Sequence, residues 1–246
     1  MMRLGLGTGL TGLAGLSGAV GGSFVPTDLA DLKLWLKADG VLWQDSGRTT
    51  RALVDGDRVG AWDDGSGTNN HATQGADARR GTLKLNVQNG KPAVRFDGTD
   101  DVLVTPNANG TAQTLFVVCK YISGNGSAVC GFHDSSAMLG VFGGSYYWQW
   151  REGGGYPTFG AAGTSAALLT LRFNSAASCD VYRSGTFNQT FDPNDTFMNK
   201  VLDVGGLSAG NYGNYDVFEL LLYGAALADA SRLKVEGYLN ARWALS

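Results

Sequence analysis

The chain has 246 residues, 43% of them apolar, and a net charge of −3 at pH 7. Its densest basic stretch is the pair Arg79-Arg80, too little for the clustered Lys/Arg face that a nucleic-acid binder needs. Its 37 glycines, and glutamates only at positions 152, 219 and 236, describe strands and turns rather than helices.

Residues 1–24 are a Gly/Leu-rich leader. Glycine interrupts the apolar run at nearly every second position, which spoils a signal-peptide helix and is far too weak for a membrane span. The reading adopted is an N-terminal assembly arm, residues 1–24, with Arg3, Leu4, Leu6, Leu10, Leu13 and Leu16 as its contact residues. An uncleaved signal or a flexible tail is the alternative. Pro26-Thr27-Asp28-Leu29 then marks the entry to one domain, residues 25–246, with no internal boundary.

Within it, Leu32 to Ala38 alternates: Leu32, Leu34 and Leu36 face one way, Lys33 and Lys37 the other, the pattern of a half-buried strand. Residues 44–70 are loop-rich. Ala93–Phe96 and Val102–Val104 flank an acidic turn, and Leu115–Tyr121 is a strongly apolar strand. Shorter strands are predicted at Ser127–Phe132, Met138–Phe142, Tyr146–Arg151 and Ala167–Phe173. Cys179–Arg183 and Thr186–Phe191 flank Ser184-Gly185, a two-residue hairpin turn. Val201–Val204 and Asp216–Tyr223 follow. One helix closes the chain: Asp229 is placed to cap it, and Val235, Tyr238, Leu239, Arg242 and Trp243 fall on one side at helical spacing. Many short strands, frequent turns and one late helix predict an all-β, antiparallel two-sheet jelly-roll sandwich. Cys119, Cys130 and Cys179 lack metal-ligand spacing and sit in apolar strands, so they are expected as buried free thiols.

Several stretches together carry a resemblance: W-L-K-A-D at 35–39, W-D-D at 62–64, N-N-H-A-T-Q at 69–74, G-K-P-A-V-R-F-D-G-T-D-D at 90–101, F-E-L-L-L-Y at 218–223 and the closing E-G-Y-L-N-A-R-W at 236–243. This order resembles the laminin-G-like (concanavalin A-like lectin/glucanase) jelly rolls of bacterial surface proteins and tailed-phage virion proteins. The Gly/Leu-rich leader resembles short phage structural proteins more than secreted enzymes. The resemblance implies a non-enzymatic virion component, such as a capsid decoration, fibre or tail protein. Its implied partners are other virion proteins, reached through the arm, and host-surface glycans, with many copies per particle. The alternatives are a secreted or cell-surface carbohydrate-binding module of a bacterium and a divergent glycan hydrolase.

Glycosidases of that superfamily set two glutamates and an aspartate on one strand, where alternation brings them to one face. No glutamate here has a carboxylate two to five residues onward, so no catalytic residue is assigned. His133-Asp134 beside Ser135-Ser136 is sequence proximity rather than a triad, because strand neighbours point to opposite faces. His71 is expected to make a structural hydrogen bond in its loop.

Asp97, Asp100 and Asp101 form the candidate calcium set. The competing reading is a hairpin turn in which Asp97 caps through an Asx bond, Gly98 supplies positive φ, and Asp100 or Asp101 binds backbone amides. A second acidic loop, Trp62-Asp63-Asp64-Gly65, is a further candidate to join it. For sugar, Y-Y-W-Q-W-R at 146–151 is the candidate surface, with Tyr147, Trp148, Gln149, Trp150, Arg151 and nearby Tyr156 as glycan contacts. The same aromatics suit core packing equally as residue types. No cofactor is required, and Ca²⁺ is the candidate ion.

Overall fold

The structure, a computed structural model, describes residues 23–108, 113–133, 137–149, 157–193, 200–208 and 210–245. The arm contacts Arg3, Leu4, Leu6, Leu10, Leu13 and Leu16 lie outside this set, as do Trp150, Arg151, Glu152 and Tyr156.

The first strands are β1 (Leu32–Lys37), β2 (Leu42–Trp43), β3 (Arg58–Val59), β4 (Ala61–Trp62), β5 (Ala72–Thr73), β6 (Gly81–Gln88), β7 (Lys91–Asp97) and β8 (Leu103–Ala108). Next come β9 (Thr114–Ser123), β10 (Ser127–Phe132), β11 (Met138–Phe142), β12 (Ser145–Gln149) and β13 (Thr158–Ala161). The chain continues through β14 (Ala167–Ser175), β15 (Ser178–Arg183), β16 (Thr186–Phe191), β17 (Lys200–Val204), β18 (Asn214–Tyr223) and the helix α1 (Asp229–Trp243). They make two antiparallel sheets. The first runs β16-β15-β14-β9-β18-β7-β6-β3, and the second β13-β12-β11-β10-β17-β8-β5-β4-β2. β18 is the hub of the first sheet. One flank pairs with β9; the other pairs first with β7, at Asn214 to Val217, and then with β1, at Glu219 to Tyr223.

Alternation sorts each strand between two apolar layers. Leu115, Val117 and Cys119 of β9, Leu169 and Leu171 of β14, and Leu220 and Leu222 of β18 point into the space between the sheets. Phe116, Val118, Leu168, Phe218, Leu221 and Tyr223 point the other way, onto Val235, Leu239 and Trp243 of α1. This double coverage is why these strands read as continuous apolar runs rather than alternating ones. Each fully buried side chain of this kind contributes about 1.5–3 kcal/mol.

Three expectations are corrected in detail. The strand at 32–37 is not simply half-buried. Leu34 and Leu36 enter the inter-sheet core, but a register shift between Leu32 and Leu34 turns Leu32 to the α1 side, where Trp35 also packs. The helix begins as expected, yet Ala228 is its N-cap and makes no side-chain capping bond. Asp229 is the first helical residue and pairs with Arg172 at 2.7 Å. The Ser184-Gly185 hairpin forms with φ of 48° and 81°, both left-handed, as a two-residue primed turn demands. The acidic turn is the third correction: β7 belongs to one sheet and β8 to the other, so residues 97–102 carry the chain across the rim of the sandwich instead of closing a hairpin.

The three cysteines are buried free thiols. Burial pushes the Cys119 thiol up to about 12. Among the described residues no helix is long and apolar enough to cross a membrane.

Candidate functional site

The rim crossing is built from backbone requirements first. Gly98 has φ of 80°, and a Cβ there would meet the Asn214 backbone nitrogen at 3.0 Å, so only glycine fits the turn. The Asp97 carboxylate accepts the Thr99 amide at 2.7 Å, an Asx turn, and Asp101 Oδ2 accepts the Asp97 amide at 3.0 Å. Arg79 braces the same turn. Its Nε donates to the Asp100 carbonyl at 3.2 Å, and its Nη2 donates to the Tyr212 hydroxyl at 2.8 Å.

This geometry gathers three carboxylates. Oxygens of Asp97, Asp100 and Asp101 lie within 4.8 Å of one another, with Asp97 exposed, Asp100 half-buried and Asp101 only 2% exposed. Asp101 Oδ1 is buried and, among the described residues, has no hydrogen-bond partner. Burial, with the like charges of Asp97 and Asp100, pushes the Asp101 carboxyl up to about 6, against the Asp97 amide bond and Arg58, which pull it down. A cluster of negative charge with one orphaned, buried acceptor is chemically suited to a hard divalent cation with oxygen ligands. The residues present therefore fit calcium: Asp97, Asp100 and Asp101 would hold it.

Asp63 and Asp64 do not join this cluster. Asp64 accepts from the Trp35, Ser66 and Asn70 amides and the Ser66 and Thr68 hydroxyls. Asp63 takes the Trp43 indole at 3.0 Å. His71 Nδ1 accepts the Asp64 amide at 3.0 Å, the structural bond expected of it. The Trp35 and Trp43 bonds stitch the 62–71 loop to β1 and β2, and the others order the loop itself.

The aromatic strand is a correction. Tyr146, Tyr147 and Trp148 are all 0% exposed, and Gln149 is 8% exposed. Trp148 sits between the sheets, its ring 5.5 Å from Phe173 and 6.2 Å from Phe132. Tyr147 lies on the opposite face against Ala128, Met138 and Leu207. Both faces of β12 are covered, so the described members of the glycan set (Tyr147, Trp148, Gln149) serve packing.

The glutamates are also accounted for where described. Glu219 is fully buried beneath α1. It accepts the indole N–H of Trp35 at 2.6 Å and of Trp243 at 2.7 Å, accepts the Tyr238 hydroxyl at 3.1 Å, and pairs with Arg242 Nε at 3.0 Å. Burial raises its pKa despite those partners. Glu236 accepts the Thr170 hydroxyl at 2.9 Å and pairs with Arg232 one helical turn earlier. Both pin α1 to the sheet. Asp203, also fully buried, accepts the Ser208 amide at 2.7 Å and holds His133 Nδ1 at 2.9 Å, tying the end of β10 to β17. Sequence spacing gave no hint of this pair, whose members are 70 residues apart.

No family model matches the chain, and no curated protein matches it in sequence. Solved structures do. The binding domain of Paraclostridial Mosquitocidal Protein 1 superposes with a TM-score of 0.58 at 12% identity, over 88% of this chain and 53% of that one. Trypanosoma rangeli sialidase gives 0.59 at 15% identity, over 87% of this chain and 33% of that one. The botulinum neurotoxin serotype D binding domain gives 0.56 at 13% identity, over 86% and 52%. The chain thus spans a third to a half of the length of these neighbours. What they share with it is the fold: an antiparallel two-sheet β-sandwich.

Proposed function

We propose that this chain is a non-enzymatic, lectin-like binding module that meets host-surface glycans at the rim formed by residues 97–101, Arg79 and Tyr212. The observation that carries this reading is the rim cluster of Asp97, Asp100 and Asp101, with Asp101 Oδ1 buried and unpaired. A calcium ion bound there supplies Lewis-acid sites for hydroxyl oxygens. The chain's own part is to hold three carboxylates together on a turn locked by Gly98 and braced by Arg79. Tyr212, half-buried, is held to the same rim by the Arg79 guanidinium, which donates to its hydroxyl at 2.8 Å. Glu219 and Glu236 are committed to structural pairs, which supports binding over glycan hydrolysis. The likeness of the fold to toxin binding domains supports the same class. The setting proposed is a tailed-phage virion, displayed in many copies and held through residues 1–24. It rests on the sequence resemblance and the Gly/Leu-rich leader, and multivalent display would raise weak contacts to useful avidity.

The test is a glycan array probed in calcium and again in chelator, beside melting curves in both. Calcium-dependent glycan binding with a calcium-dependent rise in Tm supports the proposal, and Asp101→Asn should remove both. Binding that ignores chelator, or no response of Tm to millimolar calcium, defeats the rim reading. Imaging of intact particles tests the setting, which fails where residues 1–24 contact no other subunit.

A further inference from the structure

Strand β7 starts at Lys91 and ends at Asp97, so the acidic rim and the Lys91 end of the sandwich stand about 20 Å apart at 3.3 Å per residue. At the Lys91 end, α1, the β6–β7 turn and residues Ser23 and Phe24 enclose an open groove of about 640 Å³. That size falls in the range of small-ligand sites.

Three cations line the groove: Lys91, Lys234 and Arg242. The charge of Arg242 is answered by Asp39 at 2.6 Å and Glu219 at 3.0 Å. Lys91 and Lys234 have no carboxylate within ion-pair reach among the described residues. Beside them stand Phe24 and Tyr238, edge to face at 6.4 Å and 76°, which give an apolar wall. Asn89, which also lines the groove, donates its side-chain amide to the Arg242 carbonyl at 2.9 Å, tying the β6–β7 turn to the end of α1. Gly237 lines the groove beside them, and a Cβ there would meet nothing within 4 Å, so this wall opens to solvent.

We propose that this groove binds a carboxylated sugar, with the carboxylate at Lys91 and Lys234 and a ring C–H face against Phe24 and Tyr238. Unpaired ammoniums select the anion, and the aromatic wall selects a ring over a bare anion. The site needs no metal, so its failure leaves the calcium rim untouched, and the reverse also holds.

The experiment is an amide NMR titration of the full chain in chelator with methyl glucuronide, methyl glucoside and sodium acetate as separate probes. The glucuronide should shift Phe24, Asn89, Lys91, Lys234 and Tyr238, with the glucoside and acetate far weaker. Lys91→Ala and Lys234→Ala should each weaken the glucuronide roughly tenfold. The double charge reversal K91E/K234E should remove binding without lowering Tm, since both side chains reach solvent. Gly237→Phe should block the groove while leaving the spectrum folded. Equal response to glucoside or acetate, shifts confined to the rim, or binding retained by K91E/K234E overturns the proposal.

Discussion

Asp101 keeps its carboxyl where water does not reach, and that has a measurable consequence in metal-free buffer. An unfolded aspartate titrates near 3.9, whereas burial holds the folded group at about 6. Between those values the unfolded chain has lost its proton and the folded chain has kept it. Rising pH therefore favours unfolding, and the stability this group allows below about pH 4 is lost as pH climbs through 6. The loss is at most about 3 kcal/mol. Urea midpoints in chelator should show Asp101→Asn gaining on the parent chain between pH 4.5 and 7.5, and a constant gap would contradict the assignment. Glu219 is raised by burial too, but both of its oxygens are engaged. Glu219→Ala strands two indole N–H groups and Arg242, and should cost about 3–5 kcal/mol in chemical denaturation, with Glu219→Gln costing less. The local chemistry of the acidic turn was legible residue by residue: the Asx bond of Asp97, the positive φ of Gly98 and the amide bond of Asp101 all follow from residue type. The convergence of the three carboxylates, and the burial that orphans one oxygen, depend on Arg79 and Asn214 arriving from elsewhere, which no spacing rule encodes.

At the level of elements, hydrophobic pattern placed most strands and the single α-helix: Leu115–Cys119 is an unbroken apolar run of strand length, and Val235–Trp243 keeps the helical period. Pattern does not say which sheet a strand joins. That is why 97–102 read as a hairpin, although β7 and β8 lie in different sheets. Nor does it separate core aromatics from a sugar platform, since Tyr146 and Trp148 look the same in either role. Asn89-Gly90 carries a stronger turn signal in the sequence: with φ of 49° and 69°, it closes the β6–β7 hairpin and builds the edge of the cationic groove. Glycine substitutions there and elsewhere should differ in kind. Gly90→Ala meets open space and should cost about 1 kcal/mol from backbone strain alone. At Gly205 a Cβ would lie 2.0 Å from the buried Phe96 ring, so Gly205→Ala should cost several-fold more. Thermal melts of the two variants side by side decide this, and equal losses would show that the Phe96 ring yields.

For the whole molecule, three layers follow from one chain: a sheet, a second sheet, and a helix that seals the outer face of the first. All three cysteines lie inside these layers. Their thiols should react with a thiol reagent only as fast as the entire domain opens, and a faster phase would reveal local opening near one of them. The position of β18 in the chain has a consequence for synthesis. Its partners β1, β7 and β9 leave the ribosome long before residues 214–223 do, and each must wait with an unpaired edge. Such long-range pairing slows folding and exposes strands to wrong partners in the meantime. The first sheet can close only when β18 arrives, so nascent chains stalled before residue 214 should remain protease-sensitive and bind chaperones, while the sandwich forms as a late, nearly single event once residues 214–223 have emerged.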